Sequence, residues 1–137
     1  MLNKNGKCGL ITTETCSYKW TDGEIRQSYA SYFKTPSQIE LWVGNGTTPP
    51  TVDDYNLESR ITDLHLVNKN VLINNNINNN YMMLITATFE NNTSSDITIT
   101  ELGAVTLNNY YILFDREVIE PIVIPANGSK TFTITIG

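Results

Sequence analysis

The sequence predicts an all-β fold: a single antiparallel β-sandwich, of Ig-like or jelly-roll Greek-key type, with an extended N-terminal segment. Three observations predict it. Polar and apolar residues alternate with a period of two, most clearly in Lys130-Thr131-Phe132-Thr133-Ile134-Thr135-Ile136. No stretch carries the 3.6-residue apolar period of a long helix. Clusters of Asn, Gly, Ser and Pro break the second half into strand-like segments about 8–12 residues apart, the spacing of a sandwich.

The elements follow in chain order. The 137 residues fit one domain, 1–137, within which residues 1–24 are a candidate N-terminal arm. Leu10, Ile11, Tyr18 and Trp20 would let that arm reach a neighbour. Residues 25–33, 39–43 and 61–67 are strand-like in composition. Between the last two, Gly44, Gly46, Pro49 and Pro50 exclude regular structure, and residues 51–59 have room for one short helical turn. The six asparagines 74–76 and 78–80 read as a polar loop, with an exposed β-contact element as the sharper alternative. Residues 81–90 form a long strand, Asn91-Asn92-Thr93-Ser94-Ser95 a turn, and residues 96–100 alternate again. Gly103 marks a bulge or bend, and Asn108-Asn109 a turn into residues 110–114. A short strand between Pro121 and Pro125 and the alternating segment 130–136 make a terminal hairpin across Asn127-Gly128, both of which tolerate positive φ.

Composition narrows the function classes. Net charge is −5, with 9 basic and 14 acidic residues and no basic run, which argues against nucleic acid and anionic membranes. The N-terminus shows no signal-peptide pattern, and runs such as Met82-Met83-Leu84-Ile85 are too short to span a bilayer. Synthesis in a cytoplasm and a soluble product are therefore expected. Asn45, Asn91, Asn92 and Asn127 head glycosylation-type triplets but read more simply as turn residues. Cys8 and Cys16 are expected as free thiols, although their spacing also suits a bridge across a small hairpin. No second Cys or His pair makes them a metal pattern.

Chemistry-bearing constellations are sparse. His65 is the sole histidine, too little for a triad. No nucleophile elbow, phosphate loop or dinucleotide fingerprint occurs. Asp53, Asp54 and Glu58 could offer oxygens to Ca²⁺ but lack the alternating ligands of a Ca²⁺ loop, so a solvated loop with local capping is expected. Trp20, Trp42 and the seven tyrosines suit a core or subunit interface better than a sugar-stacking platform. Tyr18, Trp20, Trp42 and Tyr55 are the partner-contact candidates. Glu101 and Arg116, on strands joined near Asn108-Asn109, are expected to form a structural salt bridge. No catalytic, metal or cofactor-binding residue is assigned.

Two stretches carry a resemblance. The first runs Leu41-Trp42-Val43-Gly44-Asn45-Gly46-Thr47-Thr48-Pro49-Pro50-Thr51-Val52-Asp53-Asp54-Tyr55-Asn56-Leu57-Glu58-Ser59-Arg60-Ile61. The second spans residues 89–136 and includes Glu101-Leu102-Gly103, Asp115-Arg116 and Pro125-Ala126-Asn127-Gly128-Ser129. In this order they resemble small β-sandwich structural proteins of tailed bacteriophage virions. Ala104-Val105 departs from the more hydrophobic or aromatic pair the resemblance leads one to expect. The resemblance implies a non-enzymatic virion component, made in the bacterial cytoplasm and present in many copies. Its leading form is a head decoration (cement) protein that contacts the major capsid protein or other virion proteins, as a homo-oligomer. A collar, tail or fibre-base component is the alternative. From another class, a receptor- or carbohydrate-binding module predicts exposed aromatics beside Asn and Asp.

Overall fold

The computed structural model describes residues 1–6, 15–75, 81–108 and 110–137. Among the described residues there are eight strands: β1 (Thr15–Lys19), β2 (Ile25–Tyr29), β3 (Ile39–Gly44), β4 (His65–Asn75), β5 (Tyr81–Glu90), β6 (Ile97–Asn108), β7 (Tyr110–Ile124) and β8 (Ser129–Ile136). Two short 3₁₀ turns, Ala30–Lys34 and Pro36–Gln38, lead into β3. All strand pairing is antiparallel. One sheet has the order β3-β6-β7, the other β4-β5-β8, and β1-β2 is a separate hairpin. The protein is therefore an all-β antiparallel sandwich.

Alternation explains the core. In β8, Phe132, Ile134 and Ile136 are buried while Thr131, Thr133 and Thr135 are exposed. They meet Met83, Ile85, Ala87 and Phe89 of β5 on the inner face of one sheet. Ile39, Leu41 and Val43 of β3, Ala104 of β6, and Ile112 and Phe114 of β7 supply the inner face of the other. Tyr18 and Phe33 extend this core through ring contacts, with centroids 5.0 Å apart and Phe33–Phe114 at 5.4 Å. On the opposite face of the β3-β6-β7 sheet, Trp42, Leu57, Val105 and Leu113 form a second apolar cluster.

Several expectations need correction. The Pro125–Ser129 turn exists, with Asn127 at φ 63° and Gly128 N donating to Pro125 O at 2.8 Å. Yet it closes no hairpin, because β7 pairs with β6 and β8 with β5. The cause is Asn91, whose N donates to Gly128 O while its O accepts from Asn127 N, both at 2.8 Å. Those bonds tie the turn to the end of β5 and send β8 into the other sheet. Pro121 interrupts nothing: β7 is an edge strand, and Pro121 falls where its register shifts, between the Ile99–Ile122 and Glu101–Val118 pairs. The strand expected at 61–67 is β4, which starts at His65 and runs to Asn75 because alternation continues through the asparagines. Asn74 and Asn75 are thus strand rather than loop, and residues 76–80 lie outside the described residues. The strand expected at 25–33 ends at Tyr29, and residues 51–59 hold turns without a helix.

The N-terminal segment is no free arm where it is described. Asn3 N and Arg116 N bond to Phe114 O and Met1 O at 3.2 and 3.0 Å, laying residues 1–6 along β7. Residues 15–29 form the β1-β2 hairpin, which contributes Tyr18 to the core. Leu10 and Ile11 lie outside the described residues.

Candidate functional site

Two local features shape the outer face of the β3-β6-β7 sheet around Glu101 and Arg116. The first is a bulge in β7. Ala104 pairs with Asp115 and Val105 with Leu113, which leaves Phe114 as an extra residue. Without it Arg116 would share the inner face with Ile112; with it Arg116 is turned outward, opposite Gly103. The second is Gly103 itself. It is not the bulge but a residue in regular pairing with Trp42 and Arg116. A Cβ there would stand 2.7 Å from Leu57 Cδ2 and 2.9 Å from Leu113 Cδ1, so glycine lets the second apolar layer close over the sheet.

Glu101 is fully buried and pairs diagonally with Arg116, whose Nε donates to Glu101 Oε1 at 2.9 Å. The loop after β3 supplies further donors: Gly46 N and Ser59 N to Oε2 at 2.8 and 2.7 Å, and Glu58 N to Oε1 at 2.9 Å. One carboxylate thus fastens both ends of the 44–59 loop. Glycine at position 46 permits the approach, since a Cβ there would lie 2.5 Å from Glu101 Oε2. Arg116 Nη1 donates to Thr48 O at 2.9 Å and to Asp54 Oδ2 at 3.1 Å. Burial works against the Arg116 charge, but the Glu101 and Asp54 carboxylates outweigh it and hold its pKa above the ordinary value. Arg116 is 3% exposed, and its Nη2 is buried without a partner.

Beside this cluster lies a cleft of about 430 Å³, lined by Arg116 and walled by the Thr21-Asp22 turn and by residues 53–58. Tyr55, 37% exposed, forms part of the wall, and Lys19 Nζ sits 4.2 Å from its ring centroid. Asn56 Nδ2 donates to Thr21 O at 3.3 Å and joins the two walls.

The partner-contact candidates separate. Tyr18, Trp20 and Trp42 are only 1%, 3% and 5% exposed, so they are interior residues and not a docking or sugar-stacking surface. Trp42 lies under Arg60, with the guanidinium 3.5 Å from its ring, and against Tyr111. Tyr55 alone of the four reaches solvent. The three acidic side chains of the loop are held separately: Asp53 pairs with Lys4 at 2.7 Å, Asp54 with Arg116, and Glu58 accepts from Thr47 N at 3.1 Å. Among the described residues no group of three His, Cys, Asp or Glu side chains could hold a metal ion. His65 stands exposed at the start of β4, opposite Glu90. Cys16 is disulfide-bonded, which corrects the free-thiol expectation for it; Cys8 lies outside the described residues.

Sequence reasoning missed several polar groups. Asn3 Nδ2 donates to Leu113 O at 2.8 Å and Asn5 Nδ2 to the same oxygen at 3.1 Å, satisfying a carbonyl at the β7 bulge. Asp115 is 2% exposed, with Oδ1 3.2 Å from the Met1 ammonium and Oδ2 without a partner. Burial first, then Glu117 beside it, push its pKa up to about 7 against the pull of that ammonium. Nothing in the local sequence marks Asn3 and Asn5, because they act on backbone that the bulge alone brings near. Comparison with protein-family models, with curated proteins and with solved structures finds no match for this chain.

Proposed function

We propose that this chain is a structural component of tailed-bacteriophage virions, a multi-copy head decoration protein that acts through protein–protein contacts with the major capsid protein. One observation carries the reading. The two stretches that resemble such proteins lie far apart in sequence, yet Gly46, Thr48, Asp54, Glu58 and Ser59 from one meet the buried Glu101 and Arg116 of the other in one hydrogen-bonded cluster. Those residues hold a loop to a sheet, a scaffolding role that suits a repeated shell part. The Glu101 and Asp54 carboxylates of the cluster are engaged by Arg116 and loop amides rather than by a nucleophile, which favours binding over catalysis. Many weak contacts on a repeating lattice would add by avidity.

Immunogold electron microscopy of intact phage particles carrying this chain tests the reading. Even labelling over the head is expected. Labelling confined to one vertex or to the tail would make the protein a collar or tail component and overturn the decoration role. Absence of label from both intact and disrupted particles would overturn the virion reading altogether.

A further inference from the structure

Among the described residues, the outer face of the β4-β5-β8 sheet is bare of charge along most of its length. Its rows follow from the register: Asn68-Thr88-Thr131, then Asn70-Thr86-Thr133, then Leu72-Leu84-Thr135. Met82, two residues before Leu84 on the same face, flanks the last row. Leu72, Met82 and Leu84 are all exposed, so this end of the face is apolar. The other rows present methyl, hydroxyl and amide groups, with Thr88 Oγ1 2.8 Å from Thr131 Oγ1.

The charged residues of this sheet turn away or stand at its end. Lys69 lies opposite the buried Ala87, on the inward series, and its Nζ donates to Ile39 O at 2.8 Å. Lys130 lies opposite the buried Phe89, on the same series. Glu90 and His65 stand opposite each other in the end row.

Charge picks out the occupant. Depletion of charge marks the core of an interface. A strongly cationic or anionic partner finds no counter-charge on this face. Two copies of the chain, each with a net charge of −5, repel over most of their surface and can meet here without opposing like charges. Hydroxyl and carboxamide groups both donate and accept, so the rows can bond to a copy of themselves. The apolar end supplies area that water favours burying. Stacked sheets keep their strands within about 30° of each other. A two-fold axis along β5 then sets Leu84 against its own counterpart and lays β4 over β8. Three strands about 4.8 Å apart and seven residues long, at about 3.3 Å each, give a footprint of roughly 300 Å² per copy, the size of a weak contact.

We propose that the outer face of the β4-β5-β8 sheet is the contact through which two copies of this chain pair. The pairing needs no capsid, so it and the virion role can fail separately.

Sedimentation equilibrium and methyl NMR of the whole chain test it, over concentrations from about 10 µM to about 1 mM. The mass is expected to rise from monomer toward dimer across that range. The methyl signals of Leu72, Met82 and Leu84 should move with concentration, and those of the exposed Ile25 and Val123 should not. Leu84→Lys places two like charges on the axis at an exposed position. It should keep the wild-type melting temperature and weaken pairing by more than tenfold. The proposal is overturned if the chain stays monomeric at the highest concentration, which would leave the face to a foreign partner. It is equally overturned if pairing moves the Ile25 or Val123 methyls and not those of Leu72, Met82 and Leu84, or if folded Leu84→Lys pairs as tightly as the wild type.

Discussion

Asp115 shows how much one side chain can tie stability to pH. Buried beneath the first residues with its Oδ2 unpaired, it has a pKa pushed up to about 7, whereas an unfolded aspartate titrates near 3.9. Between those values the folded state binds a proton the unfolded chain has released. Stability from this group is therefore fully present below about pH 4 and is lost as pH rises through about 7. Asp115→Asn removes the titration and keeps the shape. Urea unfolding at pH 5 and pH 8 should show the variant gaining on the wild type by roughly 1–4 kcal/mol between the two. Parallel pH curves for the two proteins would show that Asp115 is ionised throughout. The sequence marks Asp115 beside Arg116 but not its burial, which comes from Met1 and Leu2 folding back across β7.

At the scale of elements, the legible parts were those in which one residue type repeats with period two. β8 was readable because threonine and apolar residues alternate without a break and the structure buries only the latter. β4 was cut short because asparagines fill three of its outward positions, Asn68, Asn70 and Asn74, and because it lies at a sheet edge, where polar residues cost little. The Asn108-Asn109 turn was legible as the link between β6 and β7, whereas the Asn127-Gly128 turn was legible as a turn and misread as a hairpin connection. Asn127-Gly128 does bend the chain, but a turn's local chemistry does not say which strand follows, and here Asn91 decides. This assigns Asn127 a definite energetic role. Its φ of 63° is open to asparagine and glycine and strained for a branched side chain. Asn127→Gly should unfold close to the wild type in thermal melts, and Asn127→Val should lose about 1–2 kcal/mol. Equal stability of the valine variant would mean that the turn relaxes to another conformation.

Across the whole molecule, the Glu101–Arg116 cluster joins parts of the chain that the sandwich core does not hold. Leu57 is the sole residue of the 45–59 loop among the buried apolar side chains, so polar bonds must fix the rest of it. Composition hinted at the pair, since opposite charges on strands joined by a turn often meet. The cross-strand register, however, puts Arg116 opposite Gly103 and Glu101 opposite Val118. What lets them touch is the bulge at Phe114, which no sequence pattern shows. The three loop amides on Glu101 were equally hidden, because a loop's backbone direction leaves no trace in residue type. Their presence makes the two partners unequal. Glu101→Gln keeps the volume but cannot accept every bond now made, and it leaves the buried Arg116 charge with Asp54 as its remaining carboxylate partner. Arg116→Met leaves Glu101 with Gly46, Glu58 and Ser59 N–H groups still in place. Each variant should lose about 2–4 kcal/mol in urea melts, with Glu101→Gln the worse. Because the loss in each includes the cost of an abandoned partner, the double variant should lose less than the sum by about 1–3 kcal/mol. Strict additivity would mean that each side chain is held by its other contacts and that the pair adds nothing of its own.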